Sequence, residues 1–201
     1  MVTVREVSSG KDRRKFVEFP LRLYKNNEYF VPSLYGDEMA LLKGKNAYSD
    51  VSETAFFLAE RDGRVVGRIQ TIIQRQYNEM HNERRARFTR FDSINDREVS
   101  DALFSTAEKW AKDRGMDTIC GPLGFSDLDR EGMLIEGFDQ SQTFEEEYNY
   151  DYYPELVEAY GFKKEVDWLE FRLFAPEKHD DTFSRLAKRV LEMQGDRKSV
   201  V

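Results

Sequence analysis

Asp92 closes an aromatic, strand-like run, Arg85 to Ile94 (RARFTRFDSI), and an aspartate in that position has two readings. Buried beside apolar residues, its pKa rises and it can take a proton as a general base; next to Arg90, it equally suits a solvated ion pair or a helix cap. Downstream, glycines 121, 124, 132 and 137 punctuate a segment that carries Asp127, Asp129, Glu131 and Glu136, and Tyr148, Tyr150, Tyr152 and Tyr153 follow it. A carboxylate-rich rim beside tyrosines suits a cationic amine through charge and cation–π attraction. The same acids on a rigid cap would simply stay hydrated. Asp127 to Gly132 begins like a calcium loop, but the twelfth position, which needs a bidentate glutamate, is Phe138, and the preceding residues read as strand, so calcium is not expected. Cys120 sits alone in an apolar run and reads as a small buried hydrophobe, while His81 and His179 are too far apart in sequence for a metal framework.

The elements that must position these groups alternate. Val2 to Val7 reads as a short strand, and Asp12 to Tyr24 as a helix using Phe16, Phe19 and Leu23, which Pro20 makes short or kinked. Pro32 opens a second helix that uses Leu34, Met39, Leu41 and Leu42. Thr54 to Glu60 and Val65 to Ile73 are β-rich runs joined through Asp62-Gly63, the residue pair a tight hairpin needs. In Arg85 to Ile94, strict alternation puts Phe88 and Phe91 on opposite faces, as in a central strand covered on both sides. Glu98 to Arg114 carries Val99, Leu103, Ala107, Trp110 and Ala111 on one stripe; Asn95 or Asp96 can cap its start and Gly115 its end. Met116 to Leu123 returns as a strand, which argues for a parallel pair with a right-handed crossover. Pro154 to Tyr160 gives a short helix, Glu165 to Leu173 a strand, and Thr182 to Met193 a last amphipathic helix whose apolar face needs a cover.

Composition narrows the classes. The chain has 201 residues, 40% of them apolar, and a net charge of −7. That is a globular composition, and the acidic balance argues against a nucleic-acid partner. The basic residues Arg84, Arg85, Arg87 and Arg90 read as solvated edge-strand chemistry. No apolar run has the roughly 18 residues that crossing a bilayer takes, and residues 1–10 do not look like a signal peptide, so a cytoplasmic protein without a membrane partner is the expectation.

FFLAERDGRVVGRIQTII, YYPELVEAYGFKKEVDWLEFRL and above all GPLGFSDLDREGMLIEGFD resemble stretches of GNAT-type acyltransferases, the acyl-CoA-dependent N-acyltransferase superfamily. The last of these is similar to a group of bacterial GNAT-like proteins without an assigned substrate, in which a second related domain makes the chain about twice as long. The resemblance implies an α/β fold with a mixed central sheet and helices on both faces. It implies a GNAT-like domain over residues 1–174 and a helical extension, the start of a second domain, over 175–201. The function it implies is acyl transfer from acetyl-CoA or another acyl-CoA to a small amine; the alternative is a non-catalytic ligand-binding or interaction domain on the same scaffold. A homo-oligomer or the missing second domain is the expected protein partner.

In that family the CoA pyrophosphate is held at a glycine-rich turn before the helix that follows the central strand, which here corresponds to Ile94, Asn95, Asp96, Arg97, Val99 and Ser100 and contains no glycine. Asp92 takes the place of the acidic base. The tyrosine that protonates the leaving thiolate in many members falls at Val157; Tyr152 and Tyr153 stand earlier, at the helix start, so alignment gives neither that role, and Tyr153 is the candidate catalytic tyrosine. Asp127, Asp129, Glu131, Glu136 and Tyr150 are the candidate substrate-binding residues, and no metal is expected.

Overall fold

The computed structural model describes residues 1–126, 128–143, 146–171, 173–174 and 181–194. Two compact units are present, Met1–Glu165 and Val166–Val201. The first contains β1 (Thr3–Glu6), α1 (Gly10–Leu23), α2 (Tyr35–Leu41), β2 (Ser52–Arg61), β3 (Arg64–Gln74), α3 (Arg75–His81), β4 (Arg85–Ser93), α4 (Arg97–Lys112), β5 (Thr118–Cys120) and α5 (Tyr153–Tyr160). The sheet order is β1-β2-β3-β4-β5, antiparallel up to β4, with β5 parallel to β4. Helices cover both faces, and the alternation of β2 shows how. Phe56 and Leu58 pack with Phe16, Val17 and Leu42 of the α1–α2 layer, while Phe57 and Ala59 pack with Val99 and Leu103 of α4. This is the mixed sheet expected from the sequence.

Local chemistry explains the elements. Asp62 and Gly63 both have positive φ, 51° and 75°, the conformation that lets a two-residue turn follow the twist of β2 and β3. Ser9 and Asp12 close a reciprocal capping box at the start of α1. Pro20 does not shorten α1, which continues to Leu23. The lost i−4 hydrogen bond frees the Phe16 carbonyl, and Arg68 Nη1 of β3 donates to it at 3.1 Å.

The alternation expected in β4 is broken. Arg68 faces Asp92 and Gln70 faces Thr89, so two residues of β4, Arg90 and Phe91, stand opposite one of β3. Arg90 takes up the extra residue with φ 47°. A one-residue insertion inverts the side-chain phase, so Phe88 and Phe91 lie on the same face instead of opposite ones. Their rings meet edge to face at 6.5 Å, and both contact Phe104 of α4.

β5 is shorter than the run Met116 to Leu123. It pairs with β4 only from Arg85 to Arg87, and one further bond, Leu123 N–H to the Phe88 carbonyl, follows before the strands part. In the second unit the helix expected at Thr182 to Met193 is present as α6 (Asp181–Gln194). The strand expected at Glu165 to Leu173 is absent from the described residues of that stretch. Alternation supplied an apolar face, but a strand also needs a neighbour to pair with, and Leu169, Phe171 and Leu173 are exposed. Among the described residues no helix is long and apolar enough to cross a membrane.

Gly121 sits where β4 and β5 are about to part. Its φ is 156°, and a Cβ there would lie 2.3 Å from the Phe88 carbonyl oxygen. Gly121→Ala is therefore expected to cost about 2 to 3 kcal/mol in urea denaturation, since the atom in the way is backbone and cannot swing aside.

Candidate functional site

The α1–α2 face of the sheet is polar where the α4 face is apolar. Arg68 and Gln70 project from β3; Gln70, Arg90 of β4 and Glu38 of α2 are joined by hydrogen bonds, and Arg68 pairs beside them. At its centre Arg68 Nε donates to Asp92 Oδ2 at 2.7 Å, with both side chains about nine-tenths buried. Asp92 Oδ1 lies 3.1 Å from Tyr24 Oη and 3.2 Å from Tyr153 Oη, and the two hydroxyls are 2.8 Å apart. Tyr153 Oη also accepts the Ser93 N–H. Each hydroxyl has one proton, so Tyr24 to Tyr153 to Asp92 forms a connected relay. Burial, then the Asp92 charge, pushes both phenols well above the ordinary tyrosine range.

A second pair stands beside the first. Arg90 grips Glu38 with Nε and Nη2, a two-pronged contact. Burial pushes the Glu38 carboxyl up, but the charge and hydrogen bonds of Arg90 outweigh it and hold the pKa at about 2.

A cavity of ≈ 210 Å³ opens over both pairs; Glu38, Arg68, Arg90, Asp92, Glu147 and Tyr148 help line it, and Asp129 and Arg130 stand at its loop side. A smaller cavity of ≈ 20 Å³ adjoins it and shares Arg90, Asp92, Glu147 and Tyr148. Glu147 is partly buried, and burial pushes its carboxyl up to about 7, against the pull of Arg130 and with a push from Asp92.

No protein-family model matches the chain. It is 30% identical over 189 residues to "Protein YghO" of Escherichia coli (strain K12), covering 94% of this chain and 48% of that protein. It is 29% identical over 174 residues to "Bacterial ceramide synthase" of Caulobacter vibrioides, covering 85% of this chain and 45% of that one. The chain thus spans about half the length of the curated relatives it matches. Among solved structures, the aminoglycoside N-acetyltransferase AAC(6')-Iy in complex with CoA superposes with a TM-score of 0.53 at 12% identity, over 87% of this chain and 96% of that one. This is the GNAT fold.

After Phe88, β4 and β5 part. Here Tyr152 and Tyr153 reach into the gap: Tyr152 Oη donates to the Ser93 carbonyl at 2.8 Å, and Tyr153 Oη takes the Ser93 N–H at 3.1 Å. Both outward-facing polar groups of Ser93 are thereby occupied by side chains.

The turn that a GNAT acyltransferase would use for the CoA diphosphate is closed in a similar way. Asp96 caps α4 by accepting the Glu98 N–H, and its carbonyl accepts the N–H groups of Val99 and Ser100. Arg61 bridges Asp96 and Glu98 at 2.7 Å each, and Glu98 also accepts the Val2 N–H. Arg97 turns to the Ala159 carbonyl at the end of α5 and to Asp101. Ile94 donates to the Val66 carbonyl. The first-turn amides that would cradle a phosphate are largely spoken for, and two carboxylates stand beside them. These residues do not fit a diphosphate as they are arranged.

The remaining expected residues divide. The structure brings Asp92 and Tyr153 into contact. Asp129 accepts the N–H groups of Phe125 and Ser126, folding the loop at the cavity's rim. Tyr150 donates to the Leu23 carbonyl and stacks on Tyr152, with its ring also against Tyr24. Glu136 is exposed, Glu131 is partly buried outside the lining of both cavities, and Asp127 lies outside the described residues. Sequence reasoning missed Tyr24, Glu38, Arg68 and Glu147, and it put Arg90 in a solvated edge. Arg68-x-Gln70 inside an otherwise apolar run was the one available signal, since charge at spacing two in a strand marks a polar face.

Two stability changes follow from the pairs. Asp92→Asn leaves Arg68 buried without a counter-charge and is expected to cost about 3 to 5 kcal/mol, whereas a double replacement of Arg68 and Asp92 by Met and Leu costs less than the single change. Glu38 has a folded pKa below its ordinary 4.5, so its contribution is complete above that value and is lost as pH falls toward about 2. Glu38→Gln therefore lowers stability at neutral pH, and denaturation curves of variant and wild type are expected to converge through that acid window.

Proposed function

We propose that this domain serves N-acyl transfer, placing a primary amine in the cavity at the end of β4, with a CoA thioester as acyl donor. The observation that carries the reading is the cavity itself: four carboxyl groups, Glu38, Asp92, Asp129 and Glu147, line it together with three arginines, Arg68, Arg90 and Arg130, beside the end of β4. Carboxylates attract an ammonium group, and the arginines keep the cavity close to neutral, so an amine carrying hydroxyls finds donors as well as acceptors. A ceramide is the amide of a long-chain amino alcohol, so the Caulobacter relative's name describes an N-acylation. An amino alcohol is accordingly the acceptor class favoured here. The GNAT structure in complex with CoA suggests the donor, which the start of α4 would accept only with Arg61, Asp96 and Glu98 in another arrangement.

Within this chain, Asp92 is the anchored carboxylate that orients the ammonium, and Tyr153 is the hydroxyl that touches both Asp92 and the Ser93 amide at the end of β4. A second reading, a binding domain that keeps the scaffold without the chemistry, is favoured by the self-capped start of α4.

Incubation with acetyl-CoA or palmitoyl-CoA and either sphinganine or 2-amino-1,3-propanediol, followed by thiol release, separates the two. The first reading expects release that depends on the amine and a fall of about 10- to 100-fold in kcat for Tyr153→Phe. Background release with every pair, together with no calorimetric heat from either acyl-CoA, would sink it in favour of the second.

A further inference from the structure

Resting on that reading of the cavity as an amine site, we infer that Glu147, not Asp92, takes the proton from the acceptor ammonium. Asp92 has no free place for it. Arg68 holds one of its oxygens and the Tyr24 and Tyr153 hydroxyls meet the other, within a layer where no side chain can move without unpairing a buried charge. Glu147 is held differently. Among the described residues no hydrogen bond reaches its carboxyl, and it faces both the larger cavity and the small one beside it. The ≈ 20 Å³ of the small cavity is enough for a single water, and Tyr153, Asp92 and Glu147 all border it, which gives a short path for a proton leaving the carboxyl.

The charges around Glu147 come from several elements. Arg130 belongs to the loop, Arg68 to β3, Arg90 and Asp92 to β4, and Glu38 of α2 is already matched to Arg90. Burial, the largest influence, favours the neutral acid; Arg130, Arg90 and Arg68 favour the carboxylate, and the balance lies at about 7. A group poised there can accept a proton and release it again at neutral pH. The step is a plain transfer: an N–H bond of the ammonium breaks, an O–H bond forms on Glu147, and the nitrogen keeps the electron pair with which it can attack. The protonated carboxyl then returns its proton to water.

The test needs no turnover for its first half. Carbon-13 NMR of labelled carboxyls is expected to show one glutamate titrating near pH 7 that is missing from Glu147→Gln; 2-amino-1,3-propanediol should move its midpoint down, because an ammonium favours the carboxylate, and glycerol should not. Absence of such a carboxyl, or a midpoint unmoved by the amine, overturns the inference. In the second half, kcat/KM for thiol release is expected to rise through pH about 7 in the wild type and to fall about 10²- to 10⁴-fold, with that rise gone, in Glu147→Gln. An unchanged pH profile in the variant also overturns it. Background thiol release in the wild type would instead fail the acyl-transfer reading, with the NMR titration still deciding the case for Glu147.

Melting checks that the variant is folded. The raised pKa gives stability below the ordinary carboxyl range that is lost as pH rises through about 7, so Glu147→Gln is expected to melt above wild type near pH 8 and close to it near pH 5.

Discussion

The 2.7 Å contact between Arg68 and Asp92 is the constraint around which this domain is arranged. A buried ion pair is stable only if its remaining hydrogen-bonding capacity is also met, because each unmet valence costs a desolvation penalty that one contact does not offset. The partners here come from several elements. Arg68 reaches the Phe16 carbonyl that Pro20 leaves open in α1, and its guanidinium lies 4.8 Å from the centre of the Phe16 ring. Asp92 accepts the Tyr153 hydroxyl of α5, which in turn accepts that of Tyr24, the residue just past α1. Four elements, α1, β3, β4 and α5, are thus fixed relative to one another by two side chains. Pro20, read alone as a helix breaker, is what makes the Phe16 carbonyl available.

The bulge at Arg90 is the second half of the same arrangement. Without the extra residue, Phe91 would leave the α4 core and Asp92 would turn away from Arg68. With it, Phe88 and Phe91 both feed the aromatic cluster around Phe104, and Arg90 and Asp92 reach their separate partners on the opposite side. A positive φ at a non-glycine residue costs energy, and the two-pronged contact with Glu38 is what holds Arg90 there.

That feature marks the limit of what could be read from sequence. The hairpin at Asp62-Gly63, the α4 stripe and the mixed sheet with helices on both faces were legible because each rests on local spacing or turn chemistry. Asp92 and Tyr153 were legible as candidates because they stand at the ends of elements. The phase of β4 was not, since a bulge depends on what the neighbouring strand does. Nor were Glu38 and Glu147, whose partners are 52 residues away in one case and gathered from several elements in the other. The segment after Glu165 failed for a related reason: alternation describes one strand, and pairing takes two.

The start of α4 and the cavity show how differently one protein can treat carboxylates. At the helix start, Asp96 and Glu98 are held down, Asp96 foremost by Arg61 and Glu98 foremost by the Val2 amide, and serve as the helix's own anions, filling the place an external phosphate would take. In the cavity, Asp92 is engaged on both oxygens while Glu147, on the loop side, is pushed toward neutrality by the burial it shares. Two carboxyl groups whose surroundings treat them this differently can divide labour, one as a permanent charge and one as a proton carrier. The division rests on contacts: Arg68 and the tyrosine hydroxyls engage both oxygens of Asp92, while Glu147 faces the cavity. The ion pair that orders the fold thereby also sets which carboxyl in the cavity is free to titrate.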